Sequence, residues 1–210
     1  MDSSEDINTK CTWPDVRQSL FGMEGDHSDS PAKCFIDHIG MSDFNVGHLA
    51  WHYQRAADQL VDHLEQGRDL YNPDGLFMPV GYLYRHCLEL KLKRLLSVLV
   101  SCGLTNADPD ILDGHDLGKL WRKIKPALRE QWPKENPKSM NNVEALINDF
   151  IRIDKAGQSL RYATQKNGAD VREKFPKIVR LDLLRDAFTG LYNFLDACES
   201  YLEDMQQACY

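Results

Sequence analysis

From about residue 42 onward, apolar residues recur every three or four positions and almost never alternate one by one, a rhythm that predicts helices and no run of strands. Ser42 suits an N-cap, and Phe44, Leu49, Ala56, Leu60 and Leu64 form a stripe that stops before Gly67, so a first helix of more than twenty residues is expected. Residues 67–79 are rich in turn formers, with Asn72-Pro73-Asp74-Gly75 at their centre. A second helix is predicted from about Pro79 to Cys102, with Leu88, Leu92, Leu95 and Leu99 inward and Gly103 as its C-terminal stop.

After the polar loop 105–114, a third helix starts near His115 and carries Leu117, Leu120, Trp121 and Ile124; Pro126 bends or restarts it, and Trp132-Pro133 ends it. A fourth runs from about Asn141 to Ala156, with Val143, Leu146, Ile147, Phe150 and Ile151 on one face and Gly157 closing it. Residues 158–180 break the rhythm, and Lys166-Asn167-Gly168 fits either a short hairpin or an ordered loop. The last helix, about Asp182 to Gln207, has the clearest stripe: Leu184, Ala187, Phe188, Leu191, Phe194, Leu195, Cys198, Tyr201, Leu202 and Met205. The fold class is therefore all-α, a four- to five-helix up-down bundle with a short irregular or hairpin insertion before its last helix.

Residues 1–40 lack this periodicity and contain the polar run Gly25-Asp-His-Ser-Asp-Ser-Pro31, which predicts a flexible N-terminal arm ahead of a bundle domain over 41–210. At 210 residues, 42% hydrophobic and 10% aromatic, the chain can bury a sizeable core. No apolar run is long enough to span a membrane, and the acidic start MDSSEDINTK is no signal peptide, so a cytoplasmic protein without membrane contact is expected. A net charge of -7 argues against holding long nucleic acid by bulk attraction, though a local basic patch stays open. The six cysteines are scattered without a CxxC pair, as reduced thiols packed as small apolar groups would be. Cys34-Phe-Ile-Asp-His38 offers one ligand pair where zinc needs four, and no Glu-x-x-His occurs, so neither metal nor cofactor is expected.

Candidate chemistry sits in three motifs. In YRHCLELKLKRLL (84–96), Arg85, Glu89 and Lys93 are four apart and share one helix face, either as solvated i,i+4 pairs or as one wall of a polar site. In Asp113-Gly-His-Asp-Leu117, His115 and Asp116 stand at a helix start whose free N–H groups favour an anion, either a ligand phosphate or a capping Asp. In Ser159-Leu-Arg-Tyr162, Arg161 can clamp a phosphate with its planar fork and Tyr162 can stack on a base; alternatively Arg161 pairs with a carboxylate and Tyr162 packs on the bundle.

The order of these motifs, YRHxLELxLKxLL, then GHDLxxLW, then LRY before a long last helix, resembles the HEPN superfamily of small helical domains, which includes the C-terminal domain of sacsin. The similarity covers about residues 42–207. It implies a helical bundle, often a homodimer, that presents a polar cleft to a nucleotide or RNA. Family members include metal-independent ribonucleases of toxin–antitoxin and antiphage systems, others that only bind nucleotides, and non-catalytic partners, so a nucleotidyltransferase-type antitoxin is one implied partner.

The ribonuclease members typically carry an Arg four to six residues before a His near the last helix. Here YATQKNGADVRE follows Arg161 without a histidine, Arg55 and His63 are too far apart, and Arg85 is followed directly by His86. The resemblance therefore implies a binding module, with Arg85, Lys93 and Arg161 on phosphates, Glu89 and Asp116 orienting them and Tyr162 stacking. The catalytic alternative is a ribonuclease using Arg161 with His115 or His86, and a third reading is a structural dimerisation protein.

Overall fold

The computed structural model describes residues 46–67, 73–134, 137–162 and 170–208. Six α-helices occur among them: α1 (Val46–Glu65), α2 (Phe77–Ser101), α3 (Pro109–Asp113), α4 (Leu117–Gln131), α5 (Pro137–Asp154) and α6 (Leu181–Ala208), with 3₁₀ turns at Pro73–Leu76 and Val171–Lys174. Together they form an all-helical bundle, and no strand occurs among the described residues. None of the described helices is long and apolar enough to cross a membrane. Ser42, Lys166, Asn167, Gly168 and the Cys34–His38 segment lie outside the described residues.

α2 is the centre of the bundle, touching α1, α4 and α6. Leu88, Leu92, Leu95 and Leu99 are buried as expected, but so are Val80, Tyr84, Cys87, Leu96 and Val98, which widen the buried arc well beyond that stripe. A helix enclosed on nearly all sides must bury some of its polar residues too, and Arg85, Glu89 and Lys91 are each at most 3% exposed. Gly103, with φ of 71°, ends α2: Leu104 N–H closes back on Leu99 O at 2.9 Å.

α1 corrects the predicted stripe at Leu49 and Ala56, while Leu60 packs against the core as expected. Ala50, Gln54, Ala57 and Val61 face inward, whereas Leu49 and Ala56 are exposed. The two alanines at the contact let the α1 backbone approach α2 closely, and this gain in packing outweighs leaving a leucine wet. In α4 the helix continues through Pro126 instead of restarting there. The loop 105–114 contains the one-turn α3, and α5 begins at Pro137, where proline's fixed φ suits a first turn.

Candidate functional site

The site is built around the Arg85 guanidinium. Arg85 Nη1 donates to Glu89 Oε2 at 2.7 Å, Nε to the Asp154 carbonyl at 3.1 Å and Nη2 to the His115 carbonyl at 2.5 Å. One side chain on α2 thereby ties together the last residue of α5 and the loop that leads into α4. Gly157, in the turn after α5 and with φ of 70°, packs on the same guanidinium: a Cβ there would stand 3.5 Å from Arg85 Cζ. Since Arg85 is 1% exposed and its nitrogens are occupied, it acts as a strut rather than the phosphate contact that its sequence position suggests.

Glu89 is the second buried member. Its Oε1 faces His115 Nδ1 at 2.8 Å and Lys93 Nζ at 3.0 Å. Burial pushes the carboxyl up, but the hydrogen bonds from Arg85, His115 and Lys93 overcome it and hold Glu89 down at about 2. An ionised carboxylate only accepts, so the proton between them belongs to His115 Nδ1, and the Nε2 edge of the ring lies on the far side. The His115 side chain is 60% exposed, so that edge is open to solvent. Lys93 is half-buried against Glu89 and does not stand free on an exposed face.

Asp154, which carried no signal as a site residue, shapes the turn that follows it. Its Oδ1 accepts from Gln158 N–H at 2.6 Å and Ser159 N–H at 2.9 Å, and Oδ2 from Leu160 N–H at 3.4 Å. Leu160 is buried, and it packs so closely on α2 that a Cβ on Gly81 would come 3.1 Å from its Cδ2. The turn thus presents Arg161 and Tyr162 outward, both exposed. Arg161 Nε donates to the Gly157 carbonyl at 2.6 Å, and the guanidinium lies 5.7 Å from the Tyr82 ring centroid and 5.8 Å from that of Tyr162. Among the described residues no carboxylate pairs with it.

His86 stacks on Tyr82 at 5.8 Å and meets Tyr53 edge-on at 4.6 Å. Burial lowers its pKa, which keeps the ring neutral beside these cations. Asp116 caps α4, accepting from Gly118 N–H at 2.9 Å and Lys119 N–H at 3.2 Å. The anion at this helix start is therefore the Asp116 side chain itself. Arg85, Glu89, Lys93, His115 and the turn holding Arg161 thus converge, with Arg85 and Glu89 as the buried floor and His115, Lys93, Arg161 and Tyr162 nearer the water.

A second charged network, with Lys91 and Glu199 buried and its other members reaching solvent, joins α2 to α6. Lys91 Nζ pairs with Asp196 Oδ1 at 2.5 Å and Glu199 Oε2 at 2.7 Å and lies 5.0 Å from the Tyr192 ring centroid, while Arg94 holds Glu199 at 3.0 Å and also Glu203. Burial favours the neutral amine, but the two carboxylates more than offset it and raise the Lys91 pKa. The sequence holds a signal for this burial, because Lys91 shares a helix face with Leu88 and Leu95 at spacings of three and four. Tyr84 is likewise buried and donates to Asp58 at 2.7 Å. No protein-family model, curated protein or solved structure matches the chain.

Proposed function

We propose that this bundle is a HEPN-like module that binds a nucleotide or the end of an RNA chain, as a subunit of a bacterial defence, toxin–antitoxin or stress system. The observation that carries the reading is the exposed Arg161 guanidinium lying against the Tyr82 and Tyr162 rings with no carboxylate partner among the described residues. A planar cation suits a phosphate and an exposed ring suits a base, so the cluster offers both halves of a nucleotide a complementary surface. Lys93 and the open edge of His115 add further polar groups around the Arg85–Glu89 pair. The net charge of -7 favours a single nucleotide or a chain end over a long duplex tract, which needs many cationic contacts.

A thermal-shift screen with nucleotides and short RNAs tests this. At least one should raise the melting temperature, and Arg161→Ala should abolish the shift while leaving the unliganded melt unchanged. If no nucleotide or RNA moves the melt, the reading fails.

The contact between His115 and Glu89 favours a second reading, a metal-independent ribonuclease. A carboxylate that fixes Nδ1–H leaves Nε2 able to take the proton of a ribose 2′-OH, and Arg161 would stabilise charge on the phosphate. Incubation with total RNA in EDTA distinguishes the two: cleavage lost in His115→Asn supports the nuclease, and intact RNA leaves binding alone.

A further inference from the structure

The described parts of the connection from α5 to α6 lie along the N-terminal half of α2. Gly157 packs on Arg85, Leu160 packs on Gly81, and the Phe175 ring meets Phe77 edge-on at 5.0 Å. Val171 is 2% exposed, so the 3₁₀ turn Val171–Lys174 is held on the bundle by a buried residue at its start and by Phe175 just after its end. These anchors fix where the polar residues between them stand. Lys174 Nζ donates to Ser159 Oγ at 3.3 Å, and Ser159 is two residues before Arg161. Chain geometry keeps Cα atoms two residues apart within about 7 Å, so the Lys174 ammonium reaches the turn that presents the Arg161 guanidinium.

The chain as a whole carries a net charge of -7, yet the described part of this connection is basic, with Arg161, Arg172, Lys174, Lys177 and Arg180 against Asp170 and Glu173. Arg172 is taken by Asp170 and Arg180 by Asp182. Among the described residues no carboxylate pairs with Arg161, Lys174 or Lys177. Asp154, at the base of the turn, is fully buried and gives its oxygens to backbone amides. Lys174 meets only a neutral hydroxyl and keeps further N–H donors, and Arg161 keeps both Nη groups after giving Nε to the Gly157 carbonyl. Two uncompensated cations on one turn repel each other, and a bound anion relieves that repulsion.

We infer that Lys174 is a second phosphate-binding residue beside Arg161, and that it sets the ligand class as a nucleoside carrying two or more linked phosphates. The inference rests on the nucleotide reading of the Arg161 site and specifies it. Each cation is tethered by its own hydrogen bond, Arg161 to Gly157 and Lys174 to Ser159, so the two stand at separate places on the turn and a ligand that satisfies both needs more than one phosphoryl group. The planar fork of Arg161, lying against the Tyr82 and Tyr162 rings, suits the phosphate next to the nucleoside, and the compact ammonium of Lys174 suits one farther along. The same chemistry occurs on a free nucleoside triphosphate and on the triphosphorylated 5′ end of an RNA.

Titration calorimetry on the full chain, with the 5′-mono-, di- and triphosphates of the four common ribonucleosides, tests this. The wild type should bind a triphosphate about tenfold or more tightly than the monophosphate of the same nucleoside. Lys174→Ala should erase that preference while leaving monophosphate affinity within about twofold, and Lys174→Gln, which keeps a donor for Ser159, should do the same. Lys174→Arg should restore it in part, and Arg172→Ala, on the same segment but already paired with Asp170, should leave it intact. Unchanged thermal melts show that the segment stays in place in each variant. A short RNA with a 5′-triphosphate that outbinds both its 5′-hydroxyl form and the free triphosphate identifies an RNA end as the source, and tightest binding of the free triphosphate identifies a nucleotide. Equal affinity of the wild type for mono- and triphosphate, or a preference that survives Lys174→Ala, overturns the inference and leaves the nucleotide reading standing. Binding of no nucleotide or RNA at all overturns both.

Discussion

Arg85 and Glu89, one turn apart on α2, meet at 2.7 Å with side chains that are 2% and 3% exposed. On an exposed helix such a spacing contributes a few tenths of a kcal/mol, but out of water each charge depends on the other. Removing either partner should therefore cost about 3–5 kcal/mol, because it leaves an uncompensated buried charge. Urea denaturation of Arg85→Ala and Glu89→Ala measures this, and the double variant carrying both changes should cost less than the sum of the two single ones. Additive costs would show that the ion pair is not the reason for the loss.

Stability should also depend on acid through Glu89. Its carboxyl lies at about 2 in the folded protein against an ordinary value of 4.5. A depressed carboxylate contributes stability that is fully present above its unfolded pKa and is lost as the pH falls through the folded one. Glu89→Gln should therefore be less stable than wild type at neutral pH by on the order of 3 kcal/mol, and the gap should close between pH 4.5 and 2. A gap that is constant with pH would refute the assignment.

The turn that carries Arg161 should loosen when Asp154 is changed. Asp154→Ala removes the acceptor for the Gln158, Ser159 and Leu160 amides, and a hydrogen bond to a charged group contributes about 1.5–3 kcal/mol. Hydrogen exchange at those three amides should quicken along with the loss of stability. Slow exchange in the variant would mean that the turn is held by Leu160 packing alone.

Lys91 offers a control at the opposite network. Lys91→Met takes the cation from between Asp196 and Glu199 and leaves Glu199, which is 8% exposed, with Arg94 as its remaining partner. A loss of about 3 kcal/mol is expected, with partial recovery in Lys91→Met combined with Glu199→Leu. Nucleotide binding should persist in both variants if Arg161 and not this network holds the ligand.

Arg161→Ala should leave stability within about 0.5 kcal/mol of wild type, since the side chain is exposed and makes a single hydrogen bond among those described. Equilibrium unfolding measured beside the ligand-induced melting shift then separates a binding defect from a folding defect.

Much of the helical framework was legible in the residue pattern because helix ends and stripes are local physics. Gly103 and Gly157 adopt the positive φ that marks a helix stop, Asp116 caps α4, and the stripe on α6 predicts that helix almost to its ends. Other features depend on what stands opposite. Leu49 and Ala50 are adjacent, and only the approach of α1 to α2 decided that the alanine faces inward. Pro126 breaks a helix by local rules, yet α4 runs through it.

The site divides in the same way. Sequence placed Arg85, Glu89 and Lys93 on one helix face and His115 at a helix start, but their spacing alone fits solvated charges as well as a buried cluster. Enclosure of α2 by its neighbours decided that Arg85 and Glu89 leave the water, and the α5 turn decided that Arg161 stays in it. Periodicity records which side of a helix prefers to be dry. Only the packed bundle determines how many sides are dried, and that number made Arg85 a strut and left Arg161 as the exposed cation.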